Sequence, residues 1–390
     1  GASGVRPVVV EALLALLAAD VLPVIPGRAS VGASGDLAPL AHLALALTGE
    51  GEATRDGERL EGAAVCAAAG FAPLRLEAKE GLALLNGTQL STALAIAGWD
   101  RTRRLVEASL AIGALTVEAL AGSHAPFDAR IHAARGQAGQ ARAAAVLARL
   151  LEGSEIHASH ADCDRVQDPY AVRCPPQVAG AALDTVDHAG RVLQAEVNGV
   201  SDNPLIFGDD ILSGGNFHAA PIGMVADFLA IALTDLASQS ERRTDLLDRR
   251  VNPALNLFLT TEPGVESGFM IAHVTAAALA SENKTLAHPA SVDSIPTSAG
   301  QEDHVSMAPW AGHKLLAICA NAATILGIEW LAAAHAIDSQ RPLRTSAPLE
   351  RLHAWLRESV PFQPRDYRLD REIATAAAHV LDPRLAAVLH

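Results

Sequence analysis

Long stretches with helical periodicity, several of them without interior proline, constrain this chain more than any other feature of its sequence. They dominate from about residue 78 onward. Several exceed the usual length of a globular helix and are apolar around much of their circumference, so each must bury more than one face. The predicted fold is mainly α, a long-helix bundle with a small mixed N-terminal portion. The helical segments are expected near residues 88–121, 139–151, 177–198, 219–248, 265–288, 302–337 and 368–389.

The composition supports a large core and limits the kinds of partner. Half of the 390 residues are hydrophobic but only 4% are aromatic, so the core must consist of Ala, Leu, Val and Ile. A net charge of −14 without a basic cluster argues against nucleic acid and against anionic membrane surfaces. The most apolar long run, Leu315 to Ile328, contains Asn321. It is expected to be a buried helix that is too short and too polar for a membrane span.

The cysteines and histidines give no strong metal or disulfide signal. Four scattered cysteines form no Cys-x-x-Cys pair, so a cytoplasmic protein with reduced thiols is expected. His157 and His160, followed by Asp162, Cys163 and Asp164, invite a metal-binding interpretation. No further ligand spacing follows, so a polar loop is favoured and no metal is expected.

Residues 1–75 are predicted to form the mixed N-terminal portion, and residues 76–390 the helical bundle domain. The first portion should contain two helices, an Ala-Ser-Gly loop between them, and a β-hairpin. These elements are expected as a helix with Ser3 as N-cap and Pro7 in its first turn ending near Ala19, a helix from Leu37 to Leu47, and strands Glu52–Arg55 and Glu58–Leu60 around Asp56-Gly57. A second hairpin is expected around residues 208–210, with strands at 204–207 and 211–213.

The loop Ala33-Ser34-Gly35 has the minimum composition for a backbone that cyclises on itself. The Gly35 nitrogen can reach the Ala33 carbonyl, because neither residue is bulky and glycine tolerates strained dihedral angles. Loss of one water closes an imidazolone ring, and loss of a second water from Ser34 leaves an exocyclic methylene. The product, 4-methylideneimidazol-5-one, is an electrophile. The alternative is a tight turn followed by an ordinary N-cap at Asp36.

Six motifs follow one another along most of the chain. They are Val31-Gly-Ala-Ser-Gly-Asp-Leu-Ala-Pro-Leu-Ala-His42, Leu84-Leu-Asn-Gly-Thr-Gln89, Val166-Gln-Asp-Pro-Tyr-Ala-Val-Arg-Cys174, Ser201-Asp-Asn-Pro204, Gly214-Gly-Asn-Phe-His218 and Asp293-Ser-Ile-Pro-Thr-Ser-Ala-Gly-Gln-Glu-Asp-His-Val-Ser306. Together they resemble the aromatic amino acid ammonia-lyases. The resemblance implies that the ring forms from Ala33, Ser34 and Gly35 without an external cofactor, and that Asp36 assists its formation. It also implies a homotetramer whose active sites draw residues from more than one subunit.

The resemblance gives roles to five further residues. Asn86 would hydrogen-bond the prosthetic group and the substrate amine, and Tyr170 would lie beside the electrophile. Arg173 would bind the substrate carboxylate, which a guanidinium can hold in bidentate fashion, with Gln167 as an auxiliary polar contact. Phe217 would pack against the electrophile and the substrate ring. On sequence alone four of them have a structural alternative: Asn86 as a turn residue, Arg173 as a solvated side chain, Tyr170 and Phe217 as core residues.

Glu302 is the main reason to expect an imidazole substrate. The segment from Thr297 to Asp303 has the pattern of a capping box, with Ser298 and Gln301 three residues apart, that would start the following helix. This pattern does not specify Glu302 over Gln. By resemblance, Glu at this position accompanies an imidazole substrate. Its carboxylate can accept the imidazole N–H, whereas desolvation against a phenyl ring would cost several kcal/mol.

The chain departs from the family pattern at two positions and at its start. Gly300 stands where Asn is usual, and Ala220 where Glu is usual, both next to site residues. In the family the base is a Tyr on a mobile loop of an N-terminal segment. No residue here matches it, so that segment is expected to be missing.

The resemblance and Glu302 together imply non-oxidative deamination of L-histidine to trans-urocanate and ammonia, in which the electrophile makes nitrogen a better leaving group. Three alternatives stay open at this point. They are a phenylalanine or tyrosine ammonia-lyase, an aminomutase on the same scaffold, and an inactive helical oligomer produced by truncation. Glu302 argues against the first, and the second depends on loop dynamics that a sequence does not show.

Overall fold

The structure is a computed structural model that describes residues 1–160 and 165–389. Helices dominate these residues, as predicted. The α-helices are α1 Pro7–Ala18, α2 Leu37–Thr48, α3 Ala63–Ala68, α4 Glu80–Leu85, α5 Gln89–Ala119, α6 Ala129–Arg135, α7 Ala138–Leu151, α8 Glu155–Ala158, α9 Tyr170–Arg173, α10 Pro175–Asn198, α11 Ala220–Asp248, α12 Met270–Leu286, α13 Ala308–Ser339, α14 Ala347–Ser359, α15 Asp370–Val380 and α16 Pro383–Val388. Short 3-10 turns occur at Ala125–Phe127, Leu257–Leu259 and Ser298–Gly300.

The described chain forms two compact units, and each is assembled from separate stretches of sequence. The first unit comprises Gly1–Ala97, Gly190–Asp227 and Pro289–His313, and the second comprises Gly98–Ala189, Phe228–His288 and Lys314–His390. The predicted division between residues 75 and 76 is a single cut along the sequence, a different kind of division, and it stays a prediction.

The first unit contains both predicted hairpins. Strands β1 Leu22–Pro23, β2 Glu52–Arg55 and β3 Glu58–Glu61 form one antiparallel sheet, and β4 Leu205–Phe207 pairs with β5 Asp210–Leu212. The turn between β2 and β3 is Asp56-Gly57, with φ of 52° and 82°, as a two-residue turn of type I′ requires. The β5 strand begins one residue earlier than predicted.

A small hydrophobic core forms where α1 packs in the first unit. It consists of Val9, Ala12, Leu16, Val21, Ala46, Leu47, Ala53 and Val65. The α1 helix begins at Pro7, whose fixed φ suits a first helical turn. Its N-cap is Arg6, with an extended backbone and no capping side chain, so the prediction of Ser3 as N-cap was wrong.

Arg6 connects the start of α1 to α4, the short helix that leads to Asn86. Its Nε donates to Glu80 Oε1 over 2.8 Å, and its Nη2 donates to Oε2 over 2.7 Å. The backbone amides of Arg6 and Glu77 donate to the same carboxylate over 3.0 and 2.8 Å. These hydrogen bonds, the one from the Arg6 side chain above all, lower the pKa of the buried Glu80 carboxyl to about 2.

Three helix predictions differ from the structure. The helix expected over residues 265–288 is α12, which begins only at Met270. The helix expected to start at residue 302 starts at Ala308, because Ser298 and Ala299 adopt φ of 52° and 56° and form a 3-10 turn instead of a capping box. The single helix expected over 368–389 is two helices. Pro383 cannot donate a backbone hydrogen bond, and it begins a new helix there.

Helix α13 is longer than the apolar run from which it was predicted. It has 32 residues, and by length and composition both it and α11 could cross a membrane, so the expectation of a run too short for a span was wrong. Residues 325–337 are nevertheless buried without interruption. This burial is typical of a core helix, as the prediction of a buried helix required.

The second unit contains a buried ion pair between α11 and α13. Arg243 Nε donates to Glu329 Oε1 over 2.5 Å, and its Nη2 donates to Oε2 over 2.8 Å. The hydroxyl groups of Thr116 and Ser240 complete the coordination of the carboxylate over 2.6 and 2.5 Å. All four residues are almost fully buried, so each charge depends on these partners.

Candidate active site

The Ala33-Ser34-Gly35 loop lies against the backbone of Gly87. Gly35 has a φ of +74°, and a β-carbon at this position would lie 2.3 Å from the Gly87 carbonyl oxygen. The same oxygen accepts a hydrogen bond from the Asp36 amide over 2.7 Å. A side chain at residue 35 is therefore excluded both by the left-handed backbone and by the close approach of Gly87.

Asn86 contacts the loop from the C-terminal end of α4. Its Nδ2 donates to the carbonyl oxygen of Ser34 over 2.9 Å. Its Oδ1 is buried and accepts no hydrogen bond from the part of the chain that the structure describes. A buried amide with one end engaged and the other unpaired is suited to a polar ligand, so the alternative of a simple turn residue does not account for this environment.

The Asp36 side chain does not cap α2, although the residue occupies the N-cap position. Its carboxylate is fully buried and accepts from the Ser91 amide over 2.8 Å, the Ser91 hydroxyl over 3.0 Å and the Ser30 hydroxyl over 2.9 Å. Burial raises the pKa of this carboxyl, and the hydrogen bonds from Ser91 and Ser30 partly offset the shift. Asp36 thus occupies the expected N-cap position, but the expectation that its side chain caps the helix was wrong. A role of Asp36 in ring formation stays a prediction.

Glu302 lies beside Ser34 in the first unit. The Ser34 hydroxyl donates to Glu302 Oε1, and the hydroxyl groups of Thr297 and Ser298 each donate to Oε2 over 2.6 Å. These hydrogen bonds, that of Ser298 first, lower the pKa of the Glu302 carboxyl. The residues of the expected capping box therefore have a different role, because the hydroxyl groups of Thr297 and Ser298 donate to the Glu302 carboxylate and do not cap a helix.

Several supporting contacts of the loop were not predicted. The amide of Met307 donates to the Val31 carbonyl over 2.9 Å, and the Ser306 hydroxyl donates to the Gly32 carbonyl over 3.2 Å. They fix the loop to the residues that follow Glu302. Ser306 lies within a motif of the family resemblance, which is the one signal that could have found it.

Phe217 is half-buried in the first unit. Its neighbour in sequence contacts the segment that contains Glu302. The next residue, His218, places Nε2 3.1 Å from the His304 carbonyl oxygen, and the two imidazole rings stack 5.8 Å apart. The predicted contact of Phe217 with a substrate ring stays a prediction.

Gln167, Tyr170 and Arg173 belong to the second unit. Gln167 and Arg173 line one pocket, and Tyr170 is 72% exposed, so the alternative of a core tyrosine was wrong. Asp168 anchors the segment by accepting from the Ser123 amide over 2.7 Å and from Arg165 over 2.6 Å. Instead of the irregular segment expected, α9 begins directly after the proline of this motif. The roles of the three residues toward a substrate stay predictions.

The possible metal cluster is only partly described. His157 stacks on His124 with the ring centroids 3.6 Å apart. Asp162, Cys163 and Asp164 lie outside the described residues, and the expectation of a polar loop without metal stays a prediction.

The structure shows the positions of the two departures from the family pattern, Gly300 and Ala220. Apart from the chain neighbours of Gly300, no described atom lies within 4 Å of the place that a β-carbon there would take, but the φ of +87° lies in the left-handed region that strains most side-chain-bearing residues. Ala220 is the first residue of α11.

Comparison with known proteins identifies the family of the chain. Residues 1–358 match the family described as aromatic amino acid lyase. The chain belongs to this family. It is 56% identical over 388 residues to a histidine ammonia-lyase of Rhodospirillum rubrum, a match that covers 98% of this chain and 75% of the relative.

Solved structures of the family share the fold of the chain. A histidine ammonia-lyase from Trypanosoma cruzi has a TM-score of 0.92 and 38% identity, over all of this chain and 74% of that one. A tyrosine aminomutase from Streptomyces globisporus has a TM-score of 0.93 and 36% identity, over all of this chain and 77% of that one. This member of the aromatic amino acid lyase family therefore has a fold that occurs in both lyases and mutases.

Proposed function

We propose that this chain catalyses the non-oxidative deamination of L-histidine to trans-urocanate and ammonia. The observation that carries the proposal is the direct contact of Glu302 with the side chain of Ser34. A carboxylate at this place can accept the N–H of an imidazole, and it would be desolvated against a phenyl ring. The similarity to a histidine ammonia-lyase over 98% of the chain supports the same substrate.

The residues around Ser34 fit a 4-methylideneimidazol-5-one group formed from Ala33, Ser34 and Gly35. The ring keeps the Ser34 carbonyl oxygen, which already accepts from Asn86. It needs a residue without a β-carbon at position 35, which the approach of Gly87 also demands. Once formed, the group supplies an electrophilic carbon that no ordinary side chain offers.

Individual side chains bind and orient the substrate beside this group. Asn86 holds the Ser34 oxygen and offers its unpaired Oδ1 to the substrate amine. Glu302 orients the imidazole, and Arg173 pairs with the substrate carboxylate. Tyr170 and Gln167 add polar contacts near the reacting atoms, and Phe217 packs on the substrate ring. These roles follow the family resemblance, and the first two also have support from local contacts.

The same proposal includes a homotetrameric assembly in the cytoplasm. Apolar side chains remain exposed on α11 and α12, among them Ile231 at 47% and Ile271 at 60%, and faces of this kind are suited to subunit contacts. The described cysteines Cys66, Cys174 and Cys319 are free thiols, a state compatible with a reducing compartment.

A second candidate is an aminomutase on the same scaffold, favoured by the likeness to the tyrosine aminomutase. A phenylalanine or tyrosine ammonia-lyase is the remaining enzyme alternative, and Glu302 opposes it.

One experiment separates these candidates from each other and from an inactive oligomer. Intact-mass measurement of the purified protein should show a deficit of two waters relative to the translated sequence. L-Histidine should then give urocanate absorbance, and L-phenylalanine should give no cinnamate. Cinnamate without urocanate, or a β-amino acid product, would overturn the assignment.

A further inference from the structure

The turn from Thr297 to Glu302 holds one oxygen of the Glu302 carboxylate with two hydroxyl groups. Thr297 Oγ1 and Ser298 Oγ donate to Oε2, each over 2.6 Å. The backbones of Thr297 and Glu302 also pair with each other, through N–H to O=C distances of 3.1 and 3.4 Å. The carboxylate is therefore held by its own turn through both backbone and side chains.

The backbone of this turn adopts angles that residues with side chains usually avoid. Ser298 and Ala299 have φ of 52° and 56°, in the left-handed region. Strain of this kind persists where the surrounding structure requires it, and it concentrates at functional sites. Here the strained residue Ser298 is one of the two that donate to Glu302.

The proposed ring formation removes the hydrogen-bond donor of one oxygen of the Glu302 carboxylate and leaves the donors of the other oxygen in place. In the described residues, Oε1 accepts a hydrogen bond from the Ser34 hydroxyl. During the proposed ring formation, the Cβ–Oγ bond of Ser34 breaks, the Cα proton leaves with the hydroxyl as water, and a Cα=Cβ double bond forms. The donor to Oε1 is consumed in this step, whereas both donors to Oε2 remain.

We propose that Thr297 and Ser298 are positioning residues that hold Oε2, so that ring formation leaves Oε1 as the free acceptor for the imidazole N–H of the substrate. This inference rests on the proposed function. Oε1 then points to the place where the Ser34 hydroxyl lies before ring formation, directly beside the new methylidene carbon. Ring formation would thus complete the imidazole site as well as the electrophile.

The two possible roles of the Thr297 and Ser298 hydroxyl groups, positioning of Oε1 and stabilisation of the turn, predict different effects on ligand affinity. If the two hydroxyl groups only stabilised the turn, their removal would weaken all ligands equally. If they aim Oε1, their removal weakens ligands that carry an imidazole and spares ligands of the same shape with a phenyl ring. Loss of a donor also raises the pKa of Glu302, so the acid side of the kcat/KM profile for L-histidine should move to higher pH.

The experiment compares Thr297→Val and Ser298→Ala with Thr297→Ser, which keeps the hydroxyl group. Thr275→Val is the matched control, since within the described residues the Thr275 hydroxyl donates only to a carbonyl of its own helix. The inhibition constants of 3-(imidazol-4-yl)propanoate and 3-phenylpropanoate are measured, together with the intact mass and the pH profile. In Thr297→Val the constant for the imidazole compound should rise about tenfold, and that for the phenyl compound should change less than about twofold. Thr297→Ser should restore the wild-type values.

The outcomes distinguish the inference from the proposed function. A wild-type protein without the two-water deficit, or without urocanate formation, would overturn the proposed function and this inference with it. A wild-type protein that forms urocanate while Thr297→Val shifts both inhibition constants equally, or neither, would overturn the inference alone. The intact mass of each variant shows whether ring formation itself has changed.

Discussion

The side-chain amide of Asn86 donates to the carbonyl oxygen of Ser34 over 2.9 Å, although 52 positions separate the two residues in sequence. In the proposed reaction this oxygen gains negative charge when the electrophile is engaged. A donor fixed in advance at such an oxygen stabilises the transition state more than the ground state.

Replacing Asn86 with Asp should therefore reduce activity without changing the shape of the side chain. Asn86→Asp should lower kcat for urocanate formation by about 10²- to 10³-fold, because an acceptor replaces the donor to Ser34. Steady-state absorbance of urocanate measures the effect. Asn198→Ala serves as control, since among the residues that the structure describes the Asn198 side chain donates only to a carbonyl of its own helix. A kcat within a few-fold of wild type would show that the contact is not catalytic.

Gly35→Ala should abolish ring formation. The new β-carbon would meet the Gly87 carbonyl at 2.3 Å, and the φ of +74° is unfavourable for alanine. Intact mass should then equal that of the unmodified chain, with no urocanate formed. The control is Gly57→Ala in the β2–β3 turn, where φ is also positive but no described atom lies within 4 Å of the β-carbon. A two-water deficit in Gly35→Ala would contradict the geometric argument.

The Arg6–Glu80 pair should make stability depend on pH in the acid range. The pKa of Glu80 is lowered from 4.5 to about 2. The pair therefore contributes its full stabilisation above about pH 4.5, and this contribution disappears as the pH falls toward 2. Glu80→Gln should lower the free energy of unfolding by about 1–2 kcal/mol at pH 7 and by much less near pH 2. Urea denaturation at both pH values measures this difference, with Glu11→Gln as an exposed control. An equal loss at both pH values would refute the linkage.

Removing one partner of the Arg243–Glu329 ion pair should strongly lower the free energy of unfolding. Replacing both partners by apolar residues should lower it much less. Arg243→Met leaves a buried carboxylate without its counterion, so the free energy of unfolding should fall by about 3–5 kcal/mol. The double variant with Glu329→Leu removes both charges and should recover most of this loss. Guanidinium denaturation of the two variants tests the prediction. A double variant no more stable than Arg243→Met would show that the carboxylate was not the source of the instability.

The helices and the hairpins could be predicted because their signals are local. The periodicity of α10 fixes which of its faces is buried, and the Asp56-Gly57 pair fixes a two-residue turn. Each of these signals lies within a few residues of the structure that it specifies, so the expected bounds of α10 and of this hairpin were close to the observed ones.

The partners of the polar site residues could not be predicted from local patterns. Asp36 resembled an N-cap, but its hydrogen bonds come from Ser91, 55 residues away. The Ser298 pattern resembled a capping box, but its hydroxyl donates to Glu302 within a strained turn. In both cases a tertiary hydrogen bond replaces the local one, and only the folded chain brings the two groups together.

The continuous burial of residues 325–337 limits where this scaffold can change. Many of these side chains are alanine, among them Ala332, Ala334 and Ala336, and larger residues there would push neighbouring segments apart. The turn at 297–302 has open space beside Gly300. New substrate preferences within this architecture should therefore arise by variation of that turn, whereas the tightly packed segment 325–337 should stay almost invariant over evolutionary time.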